Sequence, residues 1–272
     1  MTAAAVAEAR ATTQRVARTF AIACRLLPPR VRDDVYLLYL VFRTLDDLVD
    51  DGRPEADARI AAVEAWCDGR SSNGGGPTRE VALLTGLAAR HPLPREALAD
   101  FCAGRRQDLA AERFRTEADV DAYCYRVAGT VGVVMAALLG TREPGRALPA
   151  AAALGMAMQR TNILRDIDED LAAGRVYLAE ETVARFGGSL APGRRRVLLE
   201  DQIGRADACY EEGLAGIPLL LAGRRAVAAA AAMYREILRQ IEREGYGARA
   251  GRTVVPGVRK LAVAARHGVL VR

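Results

Sequence analysis

Two interleaved stripes on one stretch of chain constrain the fold of this protein more than any other feature. Tyr39, Arg43, Asp46 and Asp50 follow one another in steps of four, three and four residues. Val31, Val35, Leu38, Phe42, Leu45 and Val49 keep the same rhythm one position earlier. These steps match the α-helical repeat, so each set forms one face, and the two faces lie about 100° apart. A surface helix turns its acids away from the core. Here they stand beside it, where they can line a cavity. A second segment repeats the pattern, with Gln159, Asn162, Asp166 and Asp170 running beside Ile163 and Ile167. Carboxylates four residues apart share one helix face, and each pair has an arginine on its N-terminal side, Arg43 and Arg165. Two such pairs facing each other across a bundle would hold hard divalent cations, and cations with arginines would bind a diphosphate.

A single acidic pair at this spacing is usually a solvated helix face. Several features point the other way. Both helices are apolar-rich, the second polar stripe contains Gln and Asn rather than Lys and Glu, and an arginine accompanies each pair. The donor set suits Mg2+, with Mn2+ as an acceptable substitute. With His91 and His267 as the only histidines, a zinc site or a His-dependent triad is not expected. Both histidines read as structural or solvent-facing.

Composition narrows the partners. The formal charge of +5 is modest and its arginines are scattered, without the concentrated basic patch of a nucleic-acid binder. Lys260 is the sole lysine, so positive charge here is nearly all guanidinium, which suits bidentate phosphate contacts. The cysteines at 24, 67, 102, 124 and 209 are dispersed, odd in number and free of any CxxC pair. They read as free thiols of a reducing compartment. Residues 1–18 lack the apolar centre of a signal peptide. The apolar stretches 127–140 and 147–158 are broken by Gly, Arg or Pro, short of the ~18 residues that span a bilayer. A cytoplasmic location is expected, with any membrane contact peripheral.

Helical periodicity dominates, and no alternating strand stands out. Pro28-Pro29 separates an N-terminal helix from a long one starting near Arg30. Further helices are predicted near 55–68, 78–90, 94–112, 117–139, 149–172, 194–214, 223–244 and 258–267, with loops at 71–77, 91–94, 141–149, 187–193 and 245–251. None of these loops is long enough for a domain linker. One all-α domain over 1–272 is the simplest account, with a monomer or homodimer as the assembly.

The chemistry such a site would serve is specific. An allylic diphosphate ester ionises readily once its charge is neutralised. Mg2+ does this as a Lewis acid and guanidinium groups add charge-assisted hydrogen bonds. Apolar walls then shield the carbocation from water, and aromatic faces stabilise its charge.

At this point the sequence resembles the phytoene/squalene synthase family, from about Arg18 to Leu261. Thr19-Phe20 through Leu26-Leu27-Pro28 is similar to the family's opening segment. Tyr39 to Asp50 matches its first aspartate motif, and Gln159 to Asp170, followed by Gly174-Arg175-Val176-Tyr177-Leu178, matches the second. Tyr123 to Gly132 is similar to its glycine-containing pocket helix. The resemblance implies a class I isoprenoid-synthase helical bundle around a central cavity. It assigns Asp46, Asp50, Asp166 and Asp170 to the cations that drive catalysis, with Asn162 as a further metal ligand and Gln159 supporting the cluster. It places Arg43, Arg165, Tyr39 and Tyr177 on the diphosphate. Tyr234, Arg252 and Tyr123 become further substrate-side residues, and Asp108 falls in another family segment. For Tyr123 ordinary helix packing remains an equal reading. For Gly129 and Gly132, close packing and pocket room are compatible.

The resemblance implies a prenyltransferase that joins two prenyl diphosphates head to head, giving a phytoene- or presqualene-type product without NADPH. The departures bear on the second substrate. Ala17 stands where serine is usual, Arg105 where an apolar residue is usual, Arg160 where leucine is usual, and Ala179 where proline is frequent. Arg160 interrupts the Met156–Ile163–Ile167 stripe, and an arginine there must snorkel or find a partner. Both arginines would trim or polarise a pocket for long prenyl chains. They motivate a rival in which the same ionisation serves transfer to an aromatic acceptor, or cyclisation.

Overall fold

Thirteen α-helices are found among the described residues, with strand-like pairing confined to a single bridge between Thr141 and Leu220. The computed structural model describes residues 2–70, 76–110 and 112–270. Most of the loop expected at 71–77 lies outside them, as does the His267 side chain. In chain order the helices are α1 (Ala3–Val16), α2 (Arg18–Cys24), α3 (Pro29–Asp50), α4 (Ala56–Cys67), α5 (Arg79–Ala88), α6 (Arg95–Leu109) and α7 (Glu117–Cys124). There follow α8 (Thr130–Leu139), α9 (Pro144–Ala172), α10 (Glu180–Arg185), α11 (Arg196–Ala215), α12 (Arg224–Arg243) and α13 (Gly257–Leu270).

Local chemistry sets several of the boundaries. α3 starts with Pro29 in its first turn, where a missing N–H costs nothing. α7 opens on a capping box in which Thr116 and Asp119 satisfy each other's backbone N–H groups. α8 ends at Gly140 and α9 is followed by Gly174, both at positive φ. The loop expected at 141–149 is replaced by helix, because α9 starts at Pro144 and runs through Pro149. Pro149 lies close enough to the N-terminus that its ring disturbs only the opening turns.

A π-helical turn, Tyr125–Gly129, joins α7 to α8 without a break. Contrary to the sequence reading, the resulting helix Glu117–Leu139 is long and apolar enough to cross a bilayer by length and composition. Half of that apolar window is buried inside the bundle, as expected of a core helix. It meets α9 backbone to backbone. A Cβ on Gly132 would sit 2.1 Å from the Ala151 carbonyl oxygen, and one on Gly155 would sit 2.1 Å from that of Ala128. Only glycine permits this approach.

The apolar side chains form two large clusters. One joins α3 to α6 and α8 through Val35, Leu38, Leu45, Leu84, Phe101 and Val134. The other joins α7, α9, α11 and α12 through Cys124, Leu154, Ile163, Leu198, Tyr210 and Leu238. All five cysteines are free thiols. His91 is structural, its Nε2 lying 2.7 Å from Asp34.

Arg160 finds partners rather than snorkelling. It is 3% exposed and donates to Asp121 at 2.6 Å, to Glu117 at 3.1 Å and to Gln202 at 3.1 Å. Glu117 also accepts from Thr182 at 2.5 Å and from Gln202 at 2.8 Å. The network ties α7, α9, α10 and α11 together. Burial alone would raise the Glu117 carboxyl, but the Thr182 hydroxyl and the Arg160 guanidinium outweigh it and hold it below its ordinary value. A depressed folded-state pKa gives stability that is present above the ordinary glutamate pKa and lost as pH falls through the folded one. Arg160→Met strands the buried carboxylate and is expected to cost about 3 kcal/mol in urea unfolding at neutral pH. Glu117→Gln should remove part of the stability that wild type loses on acidification below about pH 4.

Candidate active site

At Tyr39 and Asp46 the polar stripe of α3 borders the interior, because its neighbouring stripe is core. Val35, Leu38, Leu45 and Val49 are buried, so the helix cannot rotate its acids into solvent without exposing them. Asp46 and Tyr39 both reach the wall of the central cavity. The Tyr39 ring lies 5.0 Å from that of Phe20, and burial raises its phenol, which stays protonated and able to donate. Arg43 pairs with Asp47, and its Nε is buried without a partner. Asp50, farther along, is about half exposed and lies 3.8 Å from Arg175.

Asp46 does not stand alone. Arg105 of α6 donates to it at 2.8 Å and reaches Asp108 at 2.8 Å with its other amine. Asp108 accepts from the Tyr123 hydroxyl at 3.0 Å. The Tyr123 ring packs between Phe114 and Tyr177, stacked on the latter at 5.4 Å. Tyr123 and Tyr177 therefore stand beside the first acidic motif and are not part of the cavity wall. Burial pushes the Asp46 carboxyl up to about 6, with Arg105 acting against the rise and Asp50 adding to it.

The second bank is built on α9. Asp166 takes both Arg165 nitrogens, at 2.8 and 2.5 Å, and Arg252 at 3.0 Å. Arg252 also reaches Glu169 at 3.5 Å. Burial and the neighbouring Asp166 push Asp170 up to about 6. Asn162 donates to Gln159 at 3.3 Å, while its own Oδ1 is buried and accepts nothing. Arg175 and Tyr177 act on both banks: Arg175 lies 3.8 Å from Asp50 and its charge opposes the rise of Asp170, while burial and then the charges of Asp108 and Asp170 raise the Tyr177 phenol.

Below the acids lies a cavity of about 300 Å³. Its lining includes Asp46, Tyr39 and Tyr234 together with apolar side chains such as Leu139, Ile217 and Leu220. Gly132 and Gly155 also line it, so the glycines that allow close packing of the helices supply pocket room as well. Neither Arg105 nor Arg160 is in the wall, so neither trims the pocket by its own bulk, although Arg105 stands directly behind Asp46, which is in the wall.

Residues 13–259 match the family described as Squalene/phytoene synthase. The chain belongs to the squalene/phytoene synthase family. It is 36% identical to the 15-cis-phytoene synthase of Synechococcus elongatus, over 93% of this chain and 89% of that protein. It is 39% identical to the phytoene synthase of Thermus thermophilus, over 84% and 80%. Among solved structures, a dehydrosqualene synthase in complex with ligand superposes with a TM-score of 0.87 at 29% identity, covering 97% of this chain and 95% of that one. A squalene synthase from Alicyclobacillus acidocaldarius gives 0.77 at 25% identity, covering 90% and 95%. The chain is an enzyme of this family, a prenyltransferase with its all-α fold.

Within that family frame, the donor set can be tested against a divalent cation. No three His, Cys, Asp or Glu side chains among the described residues converge into a ready cage. The acids form two banks instead. That suits an ion like Mg2+, which keeps waters and takes one or two carboxylates together with substrate phosphate oxygens. The orphaned Asn162 Oδ1, one turn before Asp166, is a buried acceptor of the kind a cation satisfies. The residues fit the group.

Two cationic side chains were not assigned to the site by the sequence reading. Lys260 has its ammonium disfavoured, first by burial and then by Arg165, Arg252 and Arg18. The sole lysine and Arg18 thus join a positive cluster around the second motif. Being the only lysine was the sole signal available. An anion placed in this cluster would relieve its self-repulsion. Arg252→Ala, Lys260→Ala and Arg18→Ala are each expected to weaken inorganic diphosphate binding in MgCl2 roughly tenfold, about 1.4 kcal/mol, by titration calorimetry.

Proposed function

We propose that this chain is a Mg2+-dependent enzyme that joins two allylic prenyl diphosphates head to head, giving a phytoene- or presqualene-type product. The observation that carries this reading is an apolar cavity whose lining includes Asp46, Tyr39 and Tyr234, beside two helical banks of acids and a cluster of cationic side chains. The family's named relatives, phytoene and dehydrosqualene synthases among them, support it. Asp46, Asp50, Asn162, Asp166 and Asp170 would hold the divalent cations. When bound, these supply Lewis-acid charge to the diphosphate leaving group.

The chain's own residues do the rest. Arg165, Arg252, Lys260 and Arg18 orient one diphosphate by charge-assisted contacts. The C1–O bond of the first substrate breaks, and the wall from Val35 to Leu139 keeps water from the allylic cation. Phe20, Tyr39, Phe42 and Tyr234 bring aromatic faces to the cavity, where they stabilise positive charge. The double bond of the second substrate attacks that C1, and loss of a proton closes a cyclopropyl diphosphate. A second ionisation releases the remaining diphosphate, and rearrangement with loss of another proton leads on to a phytoene-type product; a squalene-type product would require a hydride from NADPH in place of that proton loss. Because Arg105 and Arg160 lie outside the cavity wall, nothing in the wall favours an aromatic acceptor over a second prenyl chain.

Purified protein with farnesyl or geranylgeranyl diphosphate and MgCl2 is expected to give C30 or C40 products by mass spectrometry. Product only on addition of small aromatics, or none from any prenyl diphosphate, would overturn the reading. Asp46→Asn and Asp166→Asn should each cut diphosphate release by two orders of magnitude or more, roughly 3 kcal/mol in the barrier, with circular dichroism unchanged.

A further inference from the structure

Among the described residues, Arg105 is the one guanidinium built into the first acidic bank from a neighbouring helix. Its side chain is only 8% exposed, and it spans two acids, with Nη1 on Asp46 Oδ1 and Nη2 on Asp108 Oδ2, both at 2.8 Å. Its Nε is buried and has no acceptor. The Arg105 guanidinium lies over the Phe101 ring at 5.4 Å, and Asp108 is fixed from its other side by Tyr123. The group is therefore held in place, with little freedom to swing into solvent. A divalent cation arriving at Asp46 meets a carboxylate already neutralised by a fixed positive charge. It must displace Nη1 or share the carboxylate beside it, and in either arrangement two like charges are brought together.

We propose that Arg105 acts as a resident competitor for Asp46, and makes cation binding at the first acidic bank conditional on diphosphate. The proposal rests on the cation-dependent reading given above and deepens it. Diphosphate supplies the compensating negative charge. An incoming phosphate oxygen accepts from the Nη1 that Asp46 releases, while Asp108 keeps the guanidinium tethered through Nη2. Asp46 is then free for the cation that the same diphosphate brings. Cation and anion thus bind cooperatively, and the coupling is reciprocal. The acidic bank avoids loading with metal before a substrate is present. In this scheme Arg105 contacts the diphosphate directly and, by doing so, frees Asp46 for the cation.

The test is a Mn2+ titration of the full chain followed by electron paramagnetic resonance, with and without inorganic diphosphate. Wild type should bind Mn2+ weakly alone and much more tightly with diphosphate. Arg105→Met keeps the length of the side chain without its charge. It should bind Mn2+ roughly tenfold more tightly without diphosphate, with a correspondingly smaller gain when diphosphate is added. Adding Asp46→Asn to that variant should abolish the gain, which places the effect on this carboxylate. Arg105→Lys, whose single ammonium cannot bridge both acids, should fall between wild type and Arg105→Met, and it decides the question if Arg105→Met does not fold. Unchanged Mn2+ affinity in the folded Arg105 variants, while wild type still responds to diphosphate, would overturn this proposal alone. Absence of Mn2+ binding in every protein, with or without diphosphate, would overturn it together with the cation-dependent function.

Discussion

Carboxylates held on the inner faces of two helices, and the guanidinium groups that balance them, are what the rest of this structure depends on. Asp46 and Asp170 are both driven up to about 6 by burial, so their charged forms are costly unless positive charge lies nearby. The protein supplies some of that charge itself. Arg105 serves Asp46, Arg165 and Arg252 serve Asp166, and Arg175 approaches Asp50. What results is a site of balanced charge, with Arg43, Arg105, Arg165 and Arg252 already on carboxylates and, among the described residues, one buried acceptor, Asn162 Oδ1, left over. Such a balance favours a ligand that brings both signs of charge at once, as a diphosphate with its cations does.

The cavity that Asp46 borders is walled on one side by two helices in very close contact. Glu117–Leu139 and α9 touch backbone to backbone at Gly132 and Gly155, which draws the wall in tightly there. The space next to them stays open because its lining alternates small residues, such as Ala128, Ala151 and Ala226, with larger ones such as Leu139 and Met158. Away from the cavity, Arg160 and Glu117 lock four helices with a buried ionic network. Its energetic value is as a fixed join between elements, since a hydrophobic set of equal volume would do as well for stability alone.

Much of this was legible in the chain. The offset polar and apolar stripes of α3 and of α9 carried the acids, their shared faces and their inward direction, because helical geometry turns spacing into orientation without reference to any partner. Helix ends with a proline or a capping residue, as at Pro29, were equally plain. Pro149 misled, since a proline reads as a boundary even where only an opening turn is affected. The apolar length of Glu117–Leu139 was also missed, because the glycines that seemed to break it are packing contacts inside one continuous helix.

The sequence alone determined the helical class, the two acidic faces and the membership they imply, all of which follow from residue order along single helices. Only the tertiary structure decided which charges meet. It put Arg105 on Asp46, Arg160 on Glu117, and Lys260 with Arg18 beside the second motif, pairings between segments far apart in the chain. The reason is physical. A helical repeat fixes the direction of a side chain relative to its own axis, but the partner it finds depends on how helices cross, and that is set by the packing of the whole core.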